Sequence, residues 1–483
     1  NSSYKNVDIN NVKNCIEKII SIVSQNINSK IFISNFSNFS NSEFGNFVSL
    51  VKKNKFELIS KLNREINKLI DKYNVYLIDN YNISNQFGLK NLEVKEKYYL
   101  AKIPFSLDFA NYYFYNLSNL ASISLGNTKK VLVLDLDNTL WGGVLGDDGY
   151  NGIEIGNDTP IGNVYYDFQK EIKNLKKRGV LLAICSKNSL LNVKEVFKKN
   201  RNMILKYSDF VCVKANWQNK HKNILEISKE LNLSLDSFVF IDDSPMERDM
   251  VRENLPEVST PELPLDPSFY KDIMLDRLYF DVTNLSSEDK KRSKSYLTES
   301  KRISLRNKLK SDDEYFYSLK MKANLKNFSL SNIDRIVQLF QRSNQFNLTT
   351  IRYSHLDIKN LIKNKNFTLE VSFKDKFSDY GIISLLVCEK IKNNLYIKNW
   401  VMSCRVLNRS LEKLILNTIM NYCKKNKIKN LLGTYIRSKK NALVENLYCN
   451  LGFDTIKSKK NFKNYISSVN NYQIKKTFIK LEN

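Results

Sequence analysis

Apolar and polar positions change their rhythm along this chain, and each change marks a boundary. In the first 127 residues Ile59, Leu62, Ile66 and Leu69 recur at helical spacing, and Val75–Ile78 then reads as a short strand. That pattern predicts a small α/β region over 1–127. It holds no histidine, phosphate-binding loop or glycine-rich dinucleotide fingerprint, so a structural or docking role is expected of it.

From Lys129 to about Pro267 the rhythm is strand, turn, helix, repeated. Val131–Leu134, Val180–Ile184, Phe210–Val213 and Phe238–Ile241 are apolar runs; Val164–Lys177 (closed by Gly179), Leu190–Phe197 and Lys220–Leu231 have helical spacing. Apolar strands separated by helices predict a parallel sheet covered on both faces, over 128–285. Residues 286–320 are charged, have little apolar period and open on Ser286-Ser287-Glu288-Asp289, which predicts a helical connector. A second α/β domain is expected over 321–483. There Phe367, Leu369, Val371 and Phe373 alternate as a strand, a turn at Ser378–Gly381 leads into the strand Ile382–Val387, and the strand Leu395–Met402 precedes the helix Leu411–Cys423.

Composition narrows the function classes. At 483 residues and 42% hydrophobic, the chain fills two or three cores. The net charge of +26 comes mostly from scattered lysines, without zinc-finger spacing or an aromatic RNA-binding strand, so no nucleic-acid role is expected. The charge favours an acidic partner or an anionic substrate. Seven scattered cysteines without a C-x-x-C pair read as reduced thiols, and two histidines, His221 and His355, are too few for a histidine-based zinc site or triad. No apolar run reaches the roughly 18 residues of a membrane span, and no apolar signal core is seen, so a cytoplasmic protein away from the membrane is expected.

The chemistry gathers at strand ends, where a parallel sheet places its ligands. In VLVLDLDNTLWGG, Asp135 and Asp137 are two apart, a spacing that in an extended strand turns both carboxylates to one side. Two carboxylates about 4 Å apart repel by roughly 4 kcal/mol at an effective dielectric near 20, which calls for a cation or a proton between them. Mg²⁺ suits carboxylate and phosphate oxygens best. Ser186 in AICSKN follows the second strand, Lys220 in NWQNKHKNI begins a helix, and Asp242 and Asp243 in VFIDDSPMER end the fourth strand. A hydroxyl donor, an ammonium and further metal-binding carboxylates complete a phosphoryl-transfer set.

These motifs resemble the haloacid-dehalogenase superfamily of aspartate-nucleophile phosphatases. LDLDNTLWGGVLGDDG, LLAICSKN, NWQNKHKNI and VFIDDSPMERDMVRENLPEV together resemble the FkbH-like family, which supplies glyceryl units to acyl carrier proteins in polyketide pathways. The resemblance implies a Rossmannoid sheet with a minimal cap, Asp135 as nucleophile, Asp137 as general acid and base, and Ser186 and Lys220 holding the phosphoryl group. It also implies Mg²⁺ on Asp135, the backbone carbonyl of Asp137, Asp243 and Asp242, with Asn138, Thr139, Trp141, Lys187 and Asn188 binding substrate. Only residues 138–163 separate Asp137 from the next helix, too few for a large lid, which leaves the cleft open to a substrate on a tethered arm.

The C-terminal region is similar to the GNAT acyltransferase fold through CRVLNRSLEKLI and NALVENLYCNLGF. In that fold a glycine-bearing turn offers backbone N–H groups to a pantetheine pyrophosphate. Here Arg405 opens a turn in which Asn408 and Ser410 stand for the glycines, a change that affects a carrier-bound phosphopantetheine less than coenzyme A. Asn344 and Gln345, in QRSNQFNLTT, read a polar ligand or serve a structural loop. The family's expected reaction takes the glyceryl group of 1,3-bisphosphoglycerate onto a thiol before delivery to an acyl carrier protein. Cys404, beside Arg405 and a helix start, and Cys185, beside Ser186, are the candidates, with a core position for Cys185 and a role for neither thiol as the alternatives. A phosphatase acting on another metabolite or protein, and a non-catalytic carrier-binding scaffold, are the rival expectations.

Overall fold

The computed structural model describes residues 8–26, 29–38, 45–51, 54–73, 75–276, 278–282, 302, 305–306, 309, 311–403, 406–407, 409–438, 440–459 and 461–482. The chain forms two compact units, Asn1–Ser124 with Asp281–Thr283, and Leu125–Phe280 with Asn284–Asn483. In the first unit two short strands, β1 (Phe32–Ser34) and β2 (Tyr76–Ile78), pair in parallel. The periodic stretch around Ile59 is the helix Lys55–Tyr73, whose Leu69 packs with Ile20 and Val75.

The second unit begins with a four-stranded parallel sheet. Its strands are β3 (Val131–Leu134), β4 (Leu181–Ser186), β5 (Phe210–Ala215) and β6 (Phe238–Ile241), in the order β5-β4-β3-β6. All four residues of β3 are fully buried. Leu132 and Leu134 join a core on one face with Phe168, Ile172, Val193 and Val196, while Val131 and Val133 join Ile224, Ile227 and Val251 on the other. The alternation of a strand therefore decides which helix layer each residue meets, and an all-apolar sequence serves both layers.

Expected and observed elements differ at their ends for local reasons. The helix expected from Val164 is Pro160–Lys177, because Thr159 caps it by accepting the Gly162 amide at 2.9 Å and Pro160 suits the first helical position. Strand β4 starts at Leu181, since the Val180 amide is bonded to Leu175 O at 3.1 Å to close that helix, with Gly179 at φ 96°. The helix Lys220–Leu231 and strands β3 and β6 have the expected bounds. Between β3 and the Pro160 helix lie a turn and the helix Leu145–Gly152, a cap as small as expected.

Strands β7 (Lys322–Lys326), β8 (Phe367–Lys374), β9 (Asp379–Ile391), β10 (Asn394–Met402), β11 (Asn430–Ile436), β12 (Asp454–Lys459), β13 (Phe462–Ser468) and β14 (Lys480–Leu481) form a second sheet, ordered β12-β13-β11-β10-β9-β8-β7-β14. The pairs β10–β11 and β7–β14 are parallel and the others antiparallel. Strand β9 starts earlier than expected because the turn is at Asp375–Ser378, where Asp375 Oδ1 accepts the amides of Phe377 (2.8 Å) and Ser378 (2.9 Å). The helix Leu411–Lys425 covers one face.

The two sheets' layers touch through polar contacts: Lys440 Nζ lies 2.5 Å from Asp236 Oδ2, and Asn344 Nδ2 donates to Gly126 O at 2.9 Å. A Cβ on Gly126 would meet Gln341 O at 2.5 Å, so the close approach needs glycine. The Ser286–Asp289 cap and most of the 286–320 connector lie outside the described residues; within them Ser311 caps the helix Asp312–Ser318. No helix among the described residues is long and apolar enough to cross a membrane.

Candidate active site

The ends of β3, β4 and β6 and the start of the Lys220 helix meet at one place. The β-ladder runs one residue past β3, with the Asp135 amide donating to Ile241 O at 3.0 Å, so Asp135 is fixed beside Asp242. Lys220, 3% exposed, places Nζ 2.5 Å from Asp242 Oδ2 and 3.0 Å from Asp135 Oδ2. Oxygens of Asp135, Asp242 and Asp243 all lie within 4.8 Å of one another. Asp135 Oδ1 is buried and has no hydrogen-bond partner among the described residues.

Charge explains why this arrangement asks for a cation. Burial pushes the Lys220 ammonium toward neutrality, but Asp135 and Asp242 outweigh it and hold the proton well above the usual lysine range. Burial raises Asp242 and Asp243, the Asp135 charge raises both further, and Lys220 pulls each back. Three carboxylates share one ammonium, so a divalent cation would balance the cluster and satisfy the orphaned Asp135 oxygen. The donor set is all oxygen, the chemistry Mg²⁺ prefers.

Asp137 is placed differently from the period-two expectation. Strand β3 stops at Leu134, and Leu136 O accepts the amides of Thr139 (3.1 Å) and Leu140 (2.8 Å), so Asp137 lies in a turn. Its carboxylate is not one of the three clustered ones. Oδ1 accepts Trp141 Nε1 at 3.0 Å and the Leu145 amide at 3.1 Å, and Oδ2 accepts Asn188 Nδ2 at 2.8 Å. Burial raises the Asp137 carboxyl above the ordinary range, against the pull of those three donors, and the Asp135 charge adds to the rise. A carboxyl raised in this way suits proton donation and return.

The remaining expected residues divide between contact and support. Ser186, 2% exposed, is linked to Asp137 through Asn188, whose Nδ2 also reaches Ser186 Oγ at 3.2 Å. Thr139 Oγ1 accepts the Asp243 amide at 3.2 Å, and Asn138, at φ 50°, accepts the Gly143 amide at 2.9 Å and shapes the turn. Trp141 and Thr139 are completely buried, which corrects the expectation of substrate contact: both position carboxylates. Lys187 is half-exposed and ion-paired to Glu247 at 2.5 Å.

Cys185 is also corrected. Its side chain is wholly buried in the layer holding Val131 and Val133, its thiol donates to Lys220 O at 3.6 Å, and burial pushes its pKa far up, so it offers no accessible thiolate. Cys404 and Arg405 lie outside the described residues. Asn344 is remote from the carboxylates in its contacts: it bonds Gly126 and accepts Arg352 Nη2 at 2.6 Å, beside a cavity of about 230 Å³ also lined by Asn127, Asn347 and Lys440. Gln345 is half-buried in the same loop.

Two side chains were not singled out from sequence. Arg248, 2% exposed, donates Nη1 to the carbonyls of Asp242 (2.8 Å) and Asp243 (2.7 Å) and Nη2 to Glu262 Oε2 (2.8 Å), tying down the loop that carries both carboxylates. Asn223 exchanges amide hydrogen bonds with Asn216 at 2.9 and 3.2 Å, which sets the start of the Lys220 helix. The signal for Arg248 was its place one helical turn after Asp243–Ser244, on the face that Val251 buries.

No family model matches the chain, and no curated protein does. Among solved structures, the N-terminal part of BF1531 from Bacteroides fragilis, containing a phosphatase domain complexed with Mg, is 32% identical with a TM-score of 0.54, over 59% of this chain and 77% of that one. The ribosomal-protein-S18-alanine N-acetyltransferase of Escherichia coli matches at 11% identity and TM-score 0.24, over 30% of this chain and 94% of that one. The PaiA N-acetyltransferase of Thermoplasma acidophilum, in complex with coenzyme A, matches at 13% and 0.23, over 30% and 99%.

Proposed function

The chain belongs with the phosphatase domains of the haloacid-dehalogenase type, and from that premise we propose a Mg²⁺-dependent phosphatase that uses Asp135 as its nucleophile and carries a GNAT-like acyltransferase domain behind it. The observation that carries the phosphoryl reading is the convergence of Asp135, Asp242 and Asp243 around an unpartnered Asp135 oxygen, with Lys220 buried beside them.

The chain's own residues account for each proton and charge. An Asp135 oxygen attacks phosphorus and the bond to the leaving oxygen breaks; Asp137, whose carboxyl burial raises above the ordinary range, donates its proton to that oxygen. Water then attacks the aspartyl phosphate, Asp137 takes its proton, and Asp135 and inorganic phosphate are released. Lys220 and Ser186 hold the transferring oxygens, while Trp141, Asn188 and the Leu145 amide hold Asp137 in place. Mg²⁺ held by Asp135, Asp242 and Asp243 would neutralise charge building on the phosphoryl oxygens.

The substrate of the finer reading is 1,3-bisphosphoglycerate: the phosphopantetheine thiol of an acyl carrier protein loses its proton and attacks the C1 carbonyl carbon, the C1 phosphate leaves as the thioester forms, and the C3 phosphate ester is the one cleaved through Asp135. The four motif blocks and the small cap, which leaves room for a tethered arm, support it. Simple phosphatase action on another substrate is the second reading, favoured by the burial of Cys185, which withholds this thiol from a relay at the phosphoryl site. Intact-mass measurement of a holo carrier protein incubated with the chain, Mg²⁺ and 1,3-bisphosphoglycerate tests the transfer. A glyceryl mass increment that vanishes in Asp135→Asn supports it; phosphate release without any increment on cognate carriers leaves the phosphatase reading alone standing. Retention of phosphate release by Asp135→Asn would sink both.

A further inference from the structure

Strands β10 and β11 pair in parallel only from Asn394–Ile397 opposite Asn430–Gly433, and further along they part. A parted strand exposes backbone groups that must find partners, and an extended amide such as the pantetheine arm of coenzyme A is the kind of ligand that adds to such an edge. Here the chain itself fills the gap. Leu348 N donates to Trp400 O at 3.2 Å, Met402 N donates to Phe346 O at 3.1 Å, and on the far side Ile436 N donates to Leu348 O at 2.8 Å. Asn347 faces Val401 in an antiparallel bridge. The neighbouring groups are taken too: Thr349 Oγ1 donates to Lys398 O at 2.8 Å, and the Trp400 amide donates to Asn399 Oδ1 at 2.8 Å.

This inserted strand is built in. Phe346, Asn347, Leu348 and Thr349 are all at most 4% exposed. Asn399, also fully buried, donates Nδ2 to Ile351 O at 2.8 Å, and Asn441 donates Nδ2 to Asn347 O at 2.9 Å. The start of the following helix, where a pyrophosphate would sit, carries an acidic side chain in its first turn. Ser410 occupies a left-handed conformation at φ 61°, the acidic Glu412 stands in the first turn, and Arg409 faces inward, with Nη1 2.8 Å from both Asp375 Oδ2 and Tyr380 Oη.

We infer that the second domain does not hold coenzyme A, because Phe346–Leu348 already forms the strand that such a ligand would add between β10 and β11. The signature QRSNQFNLTT is then the closure of this sheet. The inference concerns the second domain and stands whether or not the phosphatase reading does.

Titration calorimetry of the full chain with coenzyme A and with acetyl-coenzyme A, combined with amide hydrogen exchange, tests it. No saturable heat at millimolar ligand is expected, and protection at Leu348, Met402 and Ile436 stays unchanged. Saturable binding of either ligand overturns the inference, as does a ligand-dependent change at those three amides. The Asn399→Ala variant checks the closure directly: exchange at Leu348 is expected to rise at least tenfold in the absence of ligand, whereas unchanged exchange there overturns the role given to this strand.

Discussion

Lys220 Nζ lies 2.5 Å from Asp242 Oδ2, although the two residues are 22 positions apart and sit on different elements. The same ammonium is 3.0 Å from Asp135 Oδ2, so one cation holds two buried carboxylates. Replacing it by Met leaves those carboxylates unbalanced, at a cost of about 3–5 kcal/mol in folding stability. Urea denaturation of Lys220→Met without divalent ions is expected to show this loss, and Mg²⁺ is expected to recover part of it. Parent-like stability in chelator would contradict the ion-pair assignment.

Cation binding to Asp135, Asp242 and Asp243 stabilises only the folded chain, so Mg²⁺ at about 100 times its dissociation constant should add roughly 2.7 kcal/mol. Asp243→Asn removes one ligand and should reduce that gain. Thermal melts with Mg²⁺ and with chelator check both, and an equal rise in Tm for parent and variant would place the cation elsewhere.

Asp209, 5% exposed, accepts Lys173 Nζ at 2.6 Å, Lys176 Nζ and the Lys206 amide. Burial raises its carboxyl, but the two lysines and the amide outweigh that and leave it below the ordinary range. A folded value below the unfolded one, about 3.9, means that its contribution is complete above that pH and is lost as pH falls through the folded value. Asp209→Asn should therefore cost about 1–3 kcal/mol at neutral pH. The difference from the parent, read by urea titration, should shrink below about pH 4.

Thiol reactivity should follow exposure. Cys15 and Cys449 are exposed, whereas Cys185, Cys388 and Cys423 are buried. Brief treatment of the native chain with iodoacetamide, followed by peptide mass mapping, is expected to label the first two and spare Cys185 until urea is added. Cys185→Ser should leave phosphate release unchanged, and a large loss would restore this thiol as a candidate for the chemistry.

What could be read from the sequence is what short-range physics decides. Apolar runs bounded by turn residues marked β3 and β6 at their observed ends, because a strand buried on both faces needs an uninterrupted apolar sequence. The helix Lys220–Leu231 was equally legible from its period. Asp135, Ser186, Lys220 and Asp242–Asp243 could be proposed as one site because a parallel sheet sends successive strand ends to the same edge. Tertiary structure decided where side chains point. It turned Asp137 toward Trp141 and Asn188, buried Cys185 in the opposite helix layer, and brought Arg248 under the carbonyls of Asp242 and Asp243. It also inserted Phe346–Leu348 beside Trp400 and Met402, more than fifty residues away, a pairing no local pattern encodes because strand partners are chosen by burial and open hydrogen-bonding edges.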